Sequence, residues 1–190
     1  MLIQTHHQFA KYLFRHFKSH SFSGLLHKKS FYYGNIKPDL DFSLRNSDHT
    51  LEGAWLQIEK ECKVLASTRL CKKDFSLRLG IISHFIADSF CQYHNQQRLI
   101  EKSFYHHFLY EMELHNLFLK ALKKDKINFY RKVKPELSLS CQWLEYHEKY
   151  RGKSQKPMRD IRFALGVSIT IMEQMLEVRS NSLLLEDAAA

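Results

Sequence analysis

A strongly apolar segment from Asp74 to about Tyr93 constrains the fold more than any other part of the sequence. Its apolar residues recur at helical spacing, and it contains His84 and Asp88, which are four residues apart. On a helix these two side chains stack on one face. The positions around them on the helical wheel are apolar or small: Leu77, Gly80, Ile81, Ala87 and Cys91. Because burial of an unpaired charge is costly, such a pair needs partners. A metal ion would satisfy both side chains, and a plain His–Asp hydrogen bond at a helix surface is the alternative.

The rest of the chain also favours helices over strands. The 190 residues include 6 Gly and 3 Pro, which disfavours an all-β architecture rich in turns. Helical periodicity or helix-start signals recur in five further segments: about 3–17, 49–67, 100–123, 135–150 and 157–179. We therefore predict an all-α, single-domain multi-helix bundle over residues 1–180, followed by a frayed tail at 181–190.

One long segment, Ser21 to Arg45, shows no sustained period and is predicted to be an extended surface loop. It contains the aromatic triplet Phe31-Tyr32-Tyr33. We expect two of these three rings to pack against the domain, although the triplet is also a candidate for contact with a lipid interface.

The net charge of the chain indicates the sign of the charge that its partners carry. A formal net charge of +9 favours anionic partners such as phospholipid headgroups, nucleic acids or phosphorylated small molecules. The N-terminal residues show no secretory signal, and the longest uncharged apolar stretch, Phe163 to Met172, is too short to span a bilayer. The four cysteines are widely spaced, which favours reduced thiols. We therefore expect a cytoplasmic protein. Transient contact with a membrane surface is compatible with this location.

A second histidine–carboxylate pair follows in the segment from Tyr105 to Glu111. His107 and Glu111 are again four residues apart, and imidazole and carboxylate groups are standard zinc ligands. His115 lies four residues beyond Glu111, so that Glu111–His115 is a competing pair, whereas His106 is expected to be exposed. Two such pairs on two helices, in a chain with 12 histidines, favour a metal site over chance.

Taken in order, these residues and several others resemble the zinc-dependent phospholipase C family, whose helical fold is shared with fungal single-strand nucleases. The matching pieces are Thr5-His6-x-x-Phe9-Ala10, Gly34-x-x-x-Pro38-Asp39, His49, Gly80-x-x-x-His84-x-x-x-Asp88-x-x-x-x-x-His94 and His107-x-x-x-Glu111. These motifs cover roughly residues 1–115. The last two pieces are the specific part of the resemblance, and the others are informative only in this order.

The resemblance implies a cluster of two or three zinc ions. Carried over by position, the ligands of the first zinc would be His49, His84 and Asp88, those of the second His94, His107 and Glu111, and those of the third His6 with Asp88 as a bridge. Asp39 would take the position of the family's general base and orient a metal-bound water.

The N-terminus departs from the pattern of the secreted family members. In those proteins a tryptophan at the processed N-terminus supplies its amino and carbonyl groups to the third zinc, whereas this chain has Met1 a few residues before His6. The third metal is therefore absent, weakly held, or completed by Met1's own amino and carbonyl groups or by water.

The function implied by the resemblance is hydrolysis of a phospholipid or a related anionic phosphodiester by a metal-activated water. One alternative is a nuclease with the same cluster, but the chain lacks the interleaved aromatic and basic residues that stack single-stranded bases, so nucleic acid is the less favoured partner. A second alternative is a non-catalytic helical metal-binding protein. A helical bundle whose histidines are merely polar is the least favoured. Substrate identity, the number of metal ions and the oligomeric state stay open.

Overall fold

The computed structural model describes residues 1–19, 22, 24–41, 51–94, 104–124, 127–130, 138–151 and 156–189. Within this part of the chain all regular secondary structure is helical, which confirms the predicted all-α class. The helices are α1 (Ile3–Lys18), α2 (Lys28–Leu40), α3 (Leu51–Ser67), α4 (Lys72–Ser89), α5 (Phe104–Lys123), α6 (Leu139–Arg151) and α7 (Pro157–Ala189), with a 3-10 turn (Gln92–His94) after α4.

The apolar helix α4 forms the centre of the fold. Every residue from Leu79 to Ser89 is buried, as expected for a helix that is apolar nearly all round. Helix α2 packs most extensively against α4, and α1, α3 and α7 also contact it. The central position of α4 places His84 and Asp88 inside the molecule, where both side chains are buried.

The segment predicted to be an extended surface loop is instead helical from Lys28 to Leu40. Its buried residues follow the i, i+3, i+4, i+7 spacing of one helix face: Phe31, Gly34, Asn35 and Pro38. The prediction was wrong because only one of these four is a large apolar residue, so the helix has no visible apolar period. Of the aromatic triplet, Phe31 is buried and Tyr32 partly buried, whereas Tyr33 is exposed, as expected for two packed rings.

Helices α2 and α4 approach each other closely at Gly34 and Gly80. A Cβ atom on Gly80 would come within 3.0 Å of backbone atoms of Phe31, Gly34 and Asn35, and one on Gly34 would meet the backbone of Leu77 just as closely. Only glycine allows two helix backbones to pack at this distance. The close approach brings the α2 residues near Asn35 against the α4 face that carries His84.

The last helix is longer than predicted. Helix α7 begins at Pro157, as expected for proline in a first turn, but it continues to Ala189, beyond the predicted end near Arg179. It thus includes residues 181–189, for which the sequence predicts a frayed tail. This segment contains no Gly or Pro and is rich in Leu and Ala, which are good helix formers, so nothing local ends the helix. Neither α7 nor any other helix in the described part of the chain has an apolar stretch long enough to cross a membrane.

Outside the region of the predicted ligands, His147 of α6 lies in an aromatic pocket. Its ring stacks on Phe90 at a centroid distance of 4.2 Å and packs against Trp143 at 4.6 Å. Burial lowers the pKa of His147 to about 3, from an ordinary value of 6.5. Between these two pH values the unfolded chain binds more protons at this position than the folded chain does. The free energy of unfolding therefore falls as the pH falls from 6.5 towards 3.

We expect His147→Phe to remove this part of the acid sensitivity. A phenyl ring fits the aromatic pocket, and Nε2 of His147 makes no hydrogen bond to the described residues. Between about pH 7.5 and about pH 5, the variant should gain about 2 kcal/mol of unfolding free energy relative to the wild type. Urea unfolding at each pH measures this difference. A difference that does not change with pH would contradict a neutral, buried His147.

Candidate metal centre

Two groups of potential metal ligands meet around the C-terminal end of α4. The members of the first group are His6 from α1, Asp39 from α2, and His84 and Asp88 from α4, and those of the second are Cys91, His94 and Glu111. Within each group, one ligand atom per residue lies within 4.8 Å of all the others. All of the site residues predicted from the sequence lie in or beside these groups except His49, which is outside the described residues.

Asp88 connects the two groups. Its Oδ2 lies 3.2 Å from Nε2 of His84, and its Oδ1 lies 3.2 Å from Nε2 of His6 and 3.9 Å from Nε2 of His94. Burial alone would raise the pKa of Asp88, but the charged amino group of Met1 and the three histidines outweigh it and hold that pKa well below its usual range. Asp88 is therefore an ionised carboxylate with each oxygen directed at an imidazole.

Helix α2 orients the ring of His84. Nδ1 of His84 donates a hydrogen bond of 2.9 Å to the backbone carbonyl oxygen of Asn35, which keeps the proton on Nδ1 and leaves Nε2 as the nitrogen facing Asp88. The ring of His6 stacks on that of His84 at a centroid distance of 4.0 Å. Burial and the neighbouring His84 lower the pKa of His6 to about 4, so that His6 is neutral at physiological pH. A neutral imidazole is the form that binds zinc.

Asp39 completes the first group from the side of α2. Its Oδ1 lies 3.8 Å from Nε2 of His84, and the side chain is 23% exposed, so it also faces solvent. Oδ2 of Asp39 and Nδ1 of His6 are buried, and neither makes a hydrogen bond to the described residues. Such atoms need a metal ion or a water molecule. A set of imidazoles and carboxylates with unsatisfied donor atoms fits Zn²⁺.

In the second group, Glu111 lies between two histidines. Its Oε1 is 2.9 Å from Nε2 of His107 and 3.4 Å from Nε2 of His94. Burial works against ionisation of Glu111, but the hydrogen bonds from His107 and His94 outweigh it and lower the pKa of the carboxyl group. The competing His115 instead lies against α1, with its Nδ1 3.0 Å from Oγ1 of Thr5. The geometry thus favours the pair His107–Glu111.

The amino group of Met1 lies between the two groups. Its nitrogen is 2.5 Å from Oδ1 of Asp88, 3.2 Å from Oε1 of Glu111 and 3.2 Å from Nε2 of His94. Burial opposes the charged form, yet the two carboxylates outweigh it and raise the pKa of this amine to about 11. The single positive charge of this ammonium group therefore offsets part of the negative charge of the two carboxylates, at a point where a metal ion would also be attracted.

Comparison with known proteins identifies the family. The family model described as zinc dependent phospholipase C matches residues 5–156, about four fifths of the chain. The chain belongs to the zinc-dependent phospholipase C family. The matched range contains every described member of the two groups, and the family and the donor atoms together support zinc as the cofactor. No curated protein and no solved structure matches the chain.

A buried carboxylate on α7 supports the second group. This residue, Asp160, belongs to none of the motifs found in the sequence. Oδ2 of Asp160 accepts hydrogen bonds from the backbone N–H of Gln92 at 3.0 Å and from the hydroxyl of Tyr110 at 2.6 Å, and Oδ1 accepts one from the hydroxyl of Tyr150 at 2.8 Å. Asp160 lies beyond the range matched by the zinc-dependent phospholipase C family model. In the sequence, Asp160 is an acidic residue in the first turn of a predicted helix. Acidic residues are common there because they interact favourably with the helix dipole, so nothing indicated a further role.

We expect Asp160→Ala to weaken zinc binding although Asp160 does not belong to either group. Gln92 begins the turn that carries His94, and Tyr110 directly precedes Glu111. Loss of the hydrogen bonds from Gln92 and Tyr110 to Asp160 would therefore leave His94 and Glu111 less firmly positioned. The expected loss of zinc affinity is about 10- to 100-fold, measured by competition with a chelator. Asp160→Asn keeps the size and one acceptor oxygen, and should lose less. Equal zinc affinity of the folded Ala variant and the wild type would contradict this role.

Proposed function

We propose that this protein is a zinc-dependent phosphodiester hydrolase that acts on a phospholipid or a related phosphodiester. The observation that carries the proposal is the convergence of histidines and carboxylates from α1, α2 and α4 around Asp88, beside a second group to which α5 contributes Glu111. The family of zinc-dependent phospholipases C supports the reaction class and the type of substrate.

We assign two or three zinc ions to these residues. The proposed ligands are His49, His84 and Asp88 for the first ion, His94, His107 and Glu111 for the second, and His6 with Asp88 for a third. The distances around Asp88 and Glu111 support this grouping. The amino group of Met1, near Asp88 and Glu111, is suited to complete the third site once it loses its proton.

The chain's own residues have distinct roles in the proposed reaction. When bound, zinc supplies activation of water and stabilisation of the charge on the phosphoryl oxygens. Asp39 is suited to be the general base, because its Oδ2 makes no hydrogen bond to the described residues and its side chain reaches solvent. Asn35 holds the ring of His84 through its carbonyl oxygen. Asp88 lies between Nε2 of His6 and Nε2 of His84, where its carboxylate would be shared by the ions that these histidines hold.

The surface of α5 supports a phospholipid over a nucleic acid as the substrate. Beside His107 and Glu111, this helix exposes large apolar side chains at i, i+3, i+4 and i+7: Tyr105, Phe108, Leu109 and Met112. Exposed apolar groups beside a hydrolytic site are suited to contact lipid rather than a phosphate backbone. The net charge of +9 adds attraction to an anionic membrane surface, where transient contact is expected.

The experiment that tests the proposal combines metal analysis with two substrates. We expect two or three zinc ions per chain in the purified protein, fewer in His84→Ala, and release of phosphorylated headgroup from phosphatidylcholine vesicles. His147→Phe, which replaces a buried histidine outside both groups, is the control and should keep its zinc and its activity.

Other results would point elsewhere. Cleavage of single-stranded DNA without cleavage of lipid would make the protein a nuclease of the same fold. Bound zinc without hydrolysis of either substrate would make it a non-catalytic metal-binding protein. If the protein contains no zinc and is not stabilised by added zinc, the hydrolase proposal is wrong.

A further inference from the structure

The second ligand group contains a cysteine. Sγ of Cys91 is within 4.8 Å of a ring nitrogen of His94 and a carboxylate oxygen of Glu111, and the residue is fully buried. In the sequence, Cys91 is distinguished only as an apolar neighbour of His84 and Asp88 on the helical wheel. Its position in the structure gives it a second possible use, because a thiolate is a strong ligand for zinc.

The backbone holds Cys91 between two of the proposed ligands. The N–H of Cys91 donates a hydrogen bond of 2.9 Å to the carbonyl oxygen of Asp88, and the carbonyl oxygen of Cys91 accepts one of 3.1 Å from the N–H of His94. These two bonds form the tight turn after α4. The turn therefore sets the positions of Cys91 and His94 relative to Asp88 without a contribution from a bound ion.

We propose that Cys91 binds, as a thiolate, the zinc ion that His94 and Glu111 hold. This inference rests on the proposed function, in which His94 and Glu111 are zinc ligands. The sulfur donates a lone pair to the ion, and the thiol proton passes to solvent as the ion binds. Zinc–sulfur bonds are about 2.3 Å long and zinc–nitrogen bonds about 2.1 Å, so a small movement of the side chains brings the three donor atoms to bonding distance.

The thiolate makes the two groups chemically different. The first group offers only imidazoles and carboxylates among the described residues, whereas the second adds a soft sulfur donor. Soft thiolate ligands favour zinc over hard cations such as magnesium and calcium. The second site should therefore hold its zinc more tightly than the first and release it last during chelation.

Cobalt substitution tests the proposal directly. After removal of zinc with a chelator, the full chain is loaded with Co²⁺, which takes the same ligands and reports them in its absorption spectrum. We expect visible bands from cobalt in the protein site together with a near-ultraviolet band from charge transfer between thiolate and cobalt. Cys91→Ser should lose the near-ultraviolet band and keep visible bands, and its affinity for zinc at the second site should fall by at least the about 10- to 100-fold that loss of an outer-shell partner costs.

Two controls keep the result decisive. Cys62→Ser replaces the buried cysteine of α3, which lies outside both groups, and should keep the near-ultraviolet band. A triple variant in which Cys62, Cys71 and Cys141 are all serine leaves Cys91 as the only cysteine of the chain, and it should also keep the band. The triple variant decides the question even if Cys91→Ser does not fold.

The outcomes separate this inference from the proposed function. Visible bands without a near-ultraviolet band in the wild type would show that a metal binds but Cys91 does not, which overturns the inference and leaves the hydrolase proposal intact. A near-ultraviolet band that survives in Cys91→Ser would also overturn it. If the chain binds neither cobalt nor zinc, both proposals fail together.

Discussion

Asp88→Ala should eliminate zinc binding at more than one position and abolish hydrolysis. Asp88 is the residue to which His6, His84 and His94 are all directed, at 3.2 to 3.9 Å, so its loss removes the ligand that the first and third proposed zinc ions share. We expect the zinc content to fall to about one ion per chain, since the first and third ions lose a shared donor whereas the proposed ligands of the second ion remain. Metal analysis of the purified variant, with a hydrolysis assay in parallel, measures both effects.

The same substitution should also destabilise the metal-free protein. Asp88 forms a buried ion pair with the amino group of Met1, and its removal leaves this buried ammonium group with Glu111 as its remaining carboxylate partner. The expected loss is about 3–5 kcal/mol of unfolding free energy in the presence of a chelator. Asp88→Asn, which keeps the size but not the charge, is the matched variant and should lose zinc in the same way. Full zinc content in either variant would refute the role of Asp88 as the shared ligand.

Gly80→Ala should destabilise the protein, although alanine is the better helix former. In an exposed helix this change would stabilise by about 1 kcal/mol, but here the added methyl group meets backbone atoms of Phe31, Gly34 and Asn35. Backbone cannot move aside as the end of a side chain can, so α2 must shift away from α4. We expect a loss of about 3 kcal/mol or more, measured by urea unfolding of the metal-free protein.

The effect of Gly80→Ala on the metal centre should follow from the shift of α2. The carbonyl oxygen of Asn35 orients His84, and Asp39 lies one turn further along α2, so the folded variant should also bind zinc more weakly. Gly24→Ala is the control, because no atom lies within 4 Å of the added methyl group. It should change the unfolding free energy by less than about 0.5 kcal/mol. A stabilised Gly80→Ala variant would show that the helices do not pack this closely.

The sequence predicted the helices best where their inward faces are apolar. The apolar period and composition predicted helix α4 and the C-terminal ends of α1 and α5. Such patterns are informative because burial of large side chains is the main source of helix stability in a folded protein. Helix α2 was missed because Gly34, Asn35 and Pro38 form most of its buried face. Its stability comes from close contact with α4, which no local pattern reveals. The organisation of residues 1–180 as a single domain stays a prediction.

The candidate ligands were found where they are close in the sequence. The pairs His84–Asp88 and His107–Glu111 lie on single helices, and the helical repeat alone places both members of a pair on one face. The resemblance to the family then joined His6, Asp39 and His94 to them, and the structure brings these residues together. Their roles as ligands and base stay predictions, as does that of His49, which lies outside the described residues.

The sequence by itself determined the helical class, the family and the two histidine–carboxylate pairs, because the backbone repeat and the order of residues are local properties of the chain. Only the tertiary structure decided which residues support those pairs. Asp160 lies 3.0 Å from the N–H of Gln92, the amino group of Met1 lies 2.5 Å from Asp88, and Cys91 lies beside Glu111. Each of these contacts joins segments far apart in the sequence or depends on a turn, so it exists only once α4 is surrounded by the other helices. Packing, rather than periodicity, completes the candidate metal centre.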